Sequence, residues 1–162
     1  EQAFIDGSAA HGTKCALVRL NYSIDLRYGV LVDIAQQVKA GLPIDVTTGY
    51  VNVIWQGDAV SQILQCLPHV ASPPMAINVT GAETLSVREL AAQFADRFGC
   101  TADFTGQEAA TCWLNNSARA RQIFGEPNVS IDQMIDWIAT WIDRGGETLG
   151  KPTQFQTRDG NY

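Results

Sequence analysis

The segment Asn21-Tyr22-Ser23-Ile24-Asp25-Leu26-Arg27 brings an amide, a phenol, a hydroxyl, a carboxylate and a guanidinium into one short stretch. It follows the apolar run Cys15-Ala16-Leu17-Val18-Arg19-Leu20, whose continuous character suits a buried parallel strand. A loop leaving the carboxyl end of such a strand is where open α/β sheets bind ligands. An ordinary solvated loop is the competing account. Arg27 suits a carboxylate or phosphate of a ligand; pairing with Asp25 or Asp33 explains it equally well. Tyr50, Asn52 and Trp55 form a second candidate, because large rings pack against a sugar or a base. Core packing is the alternative for Trp55. Trp137 and Trp141 stand four apart on one helix and read as packing partners. His11 and His69 lie near helix ends and read as structural or exposed.

The elements that must position these residues are legible from periodicity. Residues 1–11 read as a helix remnant closed at His11-Gly12, and residues 14–20 as a strand. A helix over 28–40 turns Val30, Leu31, Ile34, Ala35 and Val38 to one side and stops at Gly41-Leu42-Pro43. Short strands are expected at 44–47 and 51–55, with a turn at Gly49-Tyr50. Asp58 reads as the cap of a helix reaching Leu67, with Val60, Ile63, Leu64 and Leu67 inward. A strand covers 75–79. Ser86-Val87-Arg88-Glu89 is a capping box for a helix closed by Gly99. A short strand at 102–105 precedes a helix over 117–124, capped by Asn116 and stopped by Gly125. Ser130 and Gln133 form a second capping box. The helix it opens carries Ile131, Met134, Ile135, Ile138, Trp141 and Ile142 at the helical period. Strands alternating with helices predict an α/β fold. Residues 1–146 read as one lobe with a remnant of a larger sheet. Residues 147–162 read as an extended tail, with Lys151-Pro152-Thr153 and Arg158-Asp159-Gly160 lying against a missing region or another subunit.

Composition narrows the functional classes. Of 162 residues, 17 are acidic and 11 basic, a net charge of −6 with no basic cluster. A nucleic-acid footprint and attraction to an anionic membrane are thereby disfavoured. No apolar run has the length of a bilayer span. Cysteines at 15, 66, 100 and 112 match neither a metal motif nor a disulfide framework, and read as buried free thiols in a reducing, cytoplasmic setting. With two His residues, no metal site is expected. No Gly-x-Gly-x-x-Gly, Gly-x-Ser-x-Gly, His-Glu-x-x-His or P-loop element is present. The opening Glu1-Gln2-Ala3-Phe4-Ile5 reads as starting inside a helix, so a fragment of a larger protein is expected.

Five pieces, in order, resemble the C-terminal part of extended short-chain dehydrogenases, the NAD(P)-dependent epimerase/dehydratase family. They are Ala16-Leu17-Val18-Arg19-Leu20-Asn21, Val53-Ile54-Trp55-Gln56-Gly57-Asp58, and Ile77-Asn78-Val79-Thr80-Gly81 leading into Ser86-Val87-Arg88-Glu89-Leu90. The helix ending Phe124-Gly125-Glu126-Pro127 and the one starting at Ser130 complete the set. The resemblance spans roughly residues 1–144. It implies a substrate-binding lobe with a remnant of a Rossmann-like sheet. It also implies that the dinucleotide fingerprint and the Tyr-x-x-x-Lys pair lie upstream of residue 1. The chain alone is then not expected to transfer hydride or to bind a dinucleotide tightly. The intact parent would use NAD or NADP, with the cofactor carrying the redox step.

Within this reading Asn21 is expected to orient its loop near the nicotinamide, and Asn21, Arg27, Tyr50, Asn52 and Trp55 are expected to contact substrate. Val51 stands where many nucleotide-sugar enzymes place an Arg, and Gly106-Gln107-Glu108-Ala109-Ala110 lacks a second. A small hydroxylated substrate, a sugar or sugar acid among them, therefore fits as well as a nucleotide-diphosphate sugar. The partners implied are the upstream domain and a homo-oligomer. The alternative is a non-catalytic interaction or regulatory module derived from the same fold.

Overall fold

The structure, a computed structural model, describes residues 1–158. The sequence resolves into helices α1 (Gln2–His11), α2 (Val30–Lys39), α3 (Gln56–Gln65), α4 (Val87–Phe98), α5 (Ala118–Phe124) and α6 (Ile131–Asp143). Between them run strands β1 (Ala16–Leu20), β2 (Ser23–Ile24), β3 (Ile44–Asp45), β4 (Tyr50–Val51), β5 (Ile54–Trp55), β6 (Met75–Val79), β7 (Leu85–Ser86) and β8 (Phe104–Thr105). The loop expected at 21–27 thus contains a short strand, and the extended piece expected at 51–55 divides into β4 and β5. Tyr50, expected in a turn, lies in β4.

The strands form four separate pairs. β1 and β6 run parallel with Ala16 opposite Met75 and Leu20 opposite Val79. β2–β5 and β3–β8 are also parallel, while β4–β7 is antiparallel. β1 is less buried than its apolar run predicts: only Leu17 is buried, and Leu20 is 48% exposed. A parallel strand normally has a neighbour on each side and cover on both faces. Among the described residues, β1 has one neighbour.

The main core lies where α2, α4 and α6 pack together. Leu31, Ile34 and Val38 of α2 meet Leu90 and Phe94 of α4 and Ile135 and Ile138 of α6. Each large apolar side chain so buried is worth about 1.5–3 kcal/mol. Local signals set the ends of these helices. Ser86 Oγ accepts from the Glu89 N–H at 3.3 Å, and Gly99 turns the chain at φ 66°, where a Cβ would be strained. The Ser130–Gln133 box is reciprocal, at 3.3 and 3.0 Å. At α5 the Asn116 carboxamide accepts the Ala118 N–H at 2.9 Å.

α3 corrects two expectations. Its cap position is Trp55, and Asp58 is its third residue. Asp58 instead faces inward, 6% exposed, and accepts from Asn128 Nδ2 and the Val129 N–H, both at 2.9 Å. The buried face is Asp58, Ala59, Gln62 and Cys66, whereas Val60, Leu64 and Leu67 are exposed. The reason is polar. The segment entering α6 needs an acceptor for its free N–H, and Asp58 supplies it only when that side of α3 turns in. Ala59 then sits with Ile54 and Val79 in a small cluster.

The thiols are free; Cys66 is buried, Cys15 and Cys112 are half-buried, and Cys100 is exposed, against the expectation of burial throughout. The tail also departs from expectation. Residues 147–158 lie along the chain's own surface, with Phe155 buried in the main core. Asp159, Gly160 and the last two residues lie outside the described residues.

Candidate functional site

β1 delivers Asn21 to the end of the parallel pair, where its N–H donates to the Val79 carbonyl at 3.1 Å. Tyr22 then takes a positive φ of 39°, and its carbonyl accepts from the Ile54 N–H. This junction fixes the Asn21 carboxamide beside β4 and β5. Its Nδ2 donates to Asn52 Oδ1 at 2.9 Å and, more weakly, to the Trp113 carbonyl at 3.4 Å. Asn52 is 3% exposed. Its Oδ1 also accepts from the Asn115 N–H at 3.3 Å, and its Nδ2 donates to the Asn115 carbonyl at 3.1 Å. Asn78 Nδ2 holds the Asn116 carbonyl at 2.9 Å. Three side-chain amides thus gather the irregular segment 111–117 over the ends of β1 and β6.

Gly81 makes this approach possible. Its N–H donates to the Val53 carbonyl, and a Cβ would stand 2.2 Å from that oxygen. The Gly81 carbonyl accepts from Ser117 Oγ at 3.3 Å. An open cleft of about 330 Å³ adjoins the cluster, lined by Asn52, Thr84, Asn115, Asn116 and Arg121 among others. Arg121 Nη1 is taken by Glu126 at 2.9 Å, while its buried Nε has no partner. A second cleft of about 220 Å³ lies across residues 81–83, lined by Val53, Ile54, Leu85 and Met134 among others.

The structure brings Asn21 and Asn52 together. Among the described residues no hydrogen bond joins Arg27, Tyr50 or Trp55 to them. Arg27 donates through Nε to Asp25 at 3.2 Å, which decides between the two carboxylates named for it. Asp33 is occupied elsewhere, by Thr153. Tyr50 is 44% exposed on β4, opposite Ser86. Trp55 is half-buried and meets Trp137 edge to face, with centroids 5.3 Å apart. Trp141 Nε1 donates to the Glu147 carbonyl at 3.1 Å. Asn78, Asn115 and Arg121 are not among the candidate site residues read from the sequence. The Asn115-Asn116 doublet ahead of a helix was the available signal.

The chemistry of the cluster is neutral. Amide donors and acceptors converge there, and Arg121 and Arg27 are each matched by a carboxylate. The stretch expected to lack a phosphate-binding Arg carries an acid instead: Glu108 lies against Gly49 and receives Arg88 at 2.7 Å. Its own backbone N–H and then Arg88 hold the Glu108 carboxyl below its ordinary value. Such a surface suits hydroxyls better than a free diphosphate. Among the described residues no group of three or more His, Cys, Asp or Glu converges to hold a metal. No helix among them is long and apolar enough to cross a membrane.

No protein-family model matches the sequence, and no curated protein sequence matches it. Solved structures do match in fold. RMD from Pseudomonas aeruginosa, solved with NADPH, is 18% identical with a TM-score of 0.67, over 88% of this chain and 53% of its own. UDP-glucose 4-epimerase from Thermotoga maritima, solved with UDP-glucose, is 12% identical with a TM-score of 0.70, over 89% and 50%. The dTDP-glucose 4,6-dehydratase from Bacillus anthracis, solved with NAD, is 15% identical with a TM-score of 0.70, over 88% and 49%. The chain spans about half the length of each. Together with the order of its elements, this gives the chain the fold of the C-terminal portion of the extended short-chain dehydrogenases, the architecture of NAD(P)-dependent epimerases and dehydratases.

Proposed function

We propose that this chain is the substrate-side lobe of an NAD(P)-dependent epimerase, dehydratase or dehydrogenase acting in the cytoplasm on a small hydroxylated, sugar-like substrate. The observation that carries the reading is the Asn21–Asn52 amide pair at the carboxyl end of β1, beside an open cleft. Ligands of open α/β sheets bind at that end. The sequence holds no Gly-x-Gly-x-x-Gly fingerprint of the kind that cradles a pyrophosphate. The residues present therefore do not hold the dinucleotide by themselves. In this reading a companion domain holds it and packs on the half-covered β1 edge, on the exposed Val60 and Leu64 of α3 and on Leu67 just after it. When bound, the cofactor supplies transient oxidation of a substrate hydroxyl. Asn21 and Asn52 orient the substrate, with Tyr50, Arg27 and Trp55 at the margins. Neutral surroundings favour a sugar without a charged diphosphate.

The test is a titration of this chain, and of the longest product of its reading frame, with NAD(H), NADP(H), neutral sugars, sugar acids and UDP-sugars. We expect dinucleotide binding by the longer product only. Asn52→Ala is expected to weaken sugar binding roughly tenfold. A longer product that binds neither NAD nor NADP overturns the reading. The exposed α3 stripe would then favour an interaction or regulatory module built on the same fold, with that stripe as its contact surface.

A further inference from the structure

Residues 147–158 run almost without regular structure, yet the chain ties them down along their length, from Glu147 and Thr148, bonded by Trp141 and Gln36, to Arg158. The Leu149 N–H donates to the Arg27 carbonyl at 3.0 Å. The Thr153 N–H and hydroxyl donate to Asp33 Oδ2 at 2.7 and 2.6 Å. Phe155 enters the main core at 4% exposure. Arg158, half-buried, then donates from Nη1 to the Thr111 carbonyl at 2.6 Å and from Nη2 to its hydroxyl at 2.5 Å.

The two ends of this run meet the two segments that carry the amide cluster. Arg27 belongs to the loop that begins at Asn21. Thr111 opens the segment 111–117, which brings the Trp113 carbonyl to Asn21 and the Asn115 N–H and carbonyl to Asn52. That segment has no helix or strand of its own. Upstream it is held by the Ala109 N–H on the Thr47 carbonyl and by Glu108 on Arg88. Downstream, Asn78 Nδ2 donates to the Asn116 carbonyl and Ser117 Oγ to the Gly81 carbonyl. An irregular loop held mainly by side chains opens locally at low cost when one of its supports is lost. A guanidinium giving two charge-assisted bonds to one residue is a strong anchor. Phe155 and Thr153 keep that guanidinium in place, because their own burial and bonding fix the backbone just before it.

We propose that the tail is a strap that sets the 111–117 loop against Asn21 and Asn52, with Arg158 as the positioning residue, so that its release opens the cleft. This rests on the reading of that cleft as the substrate site, but the mechanical part stands on the contacts alone. The acceptors of Arg158, the Thr111 carbonyl and hydroxyl, are neutral. Displacement or removal of the tail is what frees the loop.

The test is amide hydrogen exchange on the full chain, with Arg158→Ala, Arg158→Lys and Thr111→Val. The Asn115 N–H is the reporter, and the amides of α4 and α6 monitor the core. Arg158→Ala is expected to speed exchange at residues 113–117 roughly tenfold, with the core amides unchanged. Arg158→Lys should restore part of the protection, and Thr111→Val should lose part of it from the other side. Unchanged loop exchange in Arg158→Ala and Thr111→Val overturns the strap, whatever the chain binds. A neutral-sugar titration of the same proteins separates the two readings. If the loop is freed but no sugar binds either protein, the strap stands and the substrate reading falls.

Discussion

The Asn52 carboxamide takes two donors on Oδ1 and gives one N–H, all while nearly buried. An apolar replacement leaves the Asn115 N–H and carbonyl and the Asn21 amide without those bonds. Asn52→Leu should therefore lower unfolding free energy by about 1–3 kcal/mol, read from the urea midpoint. Asp33 gives a pH prediction. Burial pushes its carboxyl above the ordinary 3.8, and the two Thr153 bonds pull it partly back. A folded-state pKa above the unfolded one means that the folded chain holds this proton more tightly. The contribution is thus fully present below the unfolded value and is lost as pH rises through the raised one. Asp33→Asn keeps an oxygen for Thr153 and removes the titration. Urea unfolding between about pH 3 and 7 should show the variant gaining stability relative to the parent as pH rises. Identical pH profiles for the two would contradict the burial cost. Residue chemistry of this kind was only half legible in the sequence. Asn21 and Asn52 were named, but nothing in the spacing said that they would meet across 31 positions.

The element scale shows where pattern succeeds and where it fails. α6 was readable to its cap because Ser130, Gln133 and a regular apolar period all refer to residues within a few positions of each other. α3 was misread because its apolar stripe points outward. Periodicity finds a face but not its direction. Here the direction follows from Asp58, whose partners Asn128 and Val129 come from 70 and 71 positions away. Removing the two anchors of the α6 entry should separate them. Ser130→Ala is expected to cost about 0.5–2 kcal/mol as a cap loss. Asp58→Ala is expected to cost about 1–3 kcal/mol, because it leaves the Val129 N–H unmet inside the protein. Chemical denaturation of both variants checks the order. An Asp58→Ala protein as stable as its parent would mean that the clamp does not orient α3.

At the scale of the whole molecule, the distribution of apolar surface is uneven. The α2–α4–α6 side is a filled core, while β1 and the outer face of α3 are open. In the proposed reading this apolar surface is where a companion domain or a second copy packs. Val60→Glu with Leu64→Glu should change the stability of the chain by about 0.5 kcal/mol or less. The same pair should reduce self-association and binding of a hydrophobic dye, measured by light scattering and fluorescence. Leu90→Ala, in the core, is expected to cost about 2–5 kcal/mol. A large stability loss in the double Glu variant would show that the stripe is packed within the chain.

The sequence alone determined the helices with local caps, the parallel character of β1, the α/β class and the absence of a dinucleotide fingerprint. These depend on neighbours within a turn or a strand, so residue type and spacing suffice. Tertiary structure alone decided which face of α3 is buried, that Asn21 meets Asn52 under the 111–117 loop, and that the tail reaches Thr111 through Arg158. Each of those depends on a polar group finding its partner from a distant part of the chain. Side-chain chemistry states that such a partner is needed, and only the packed fold names it.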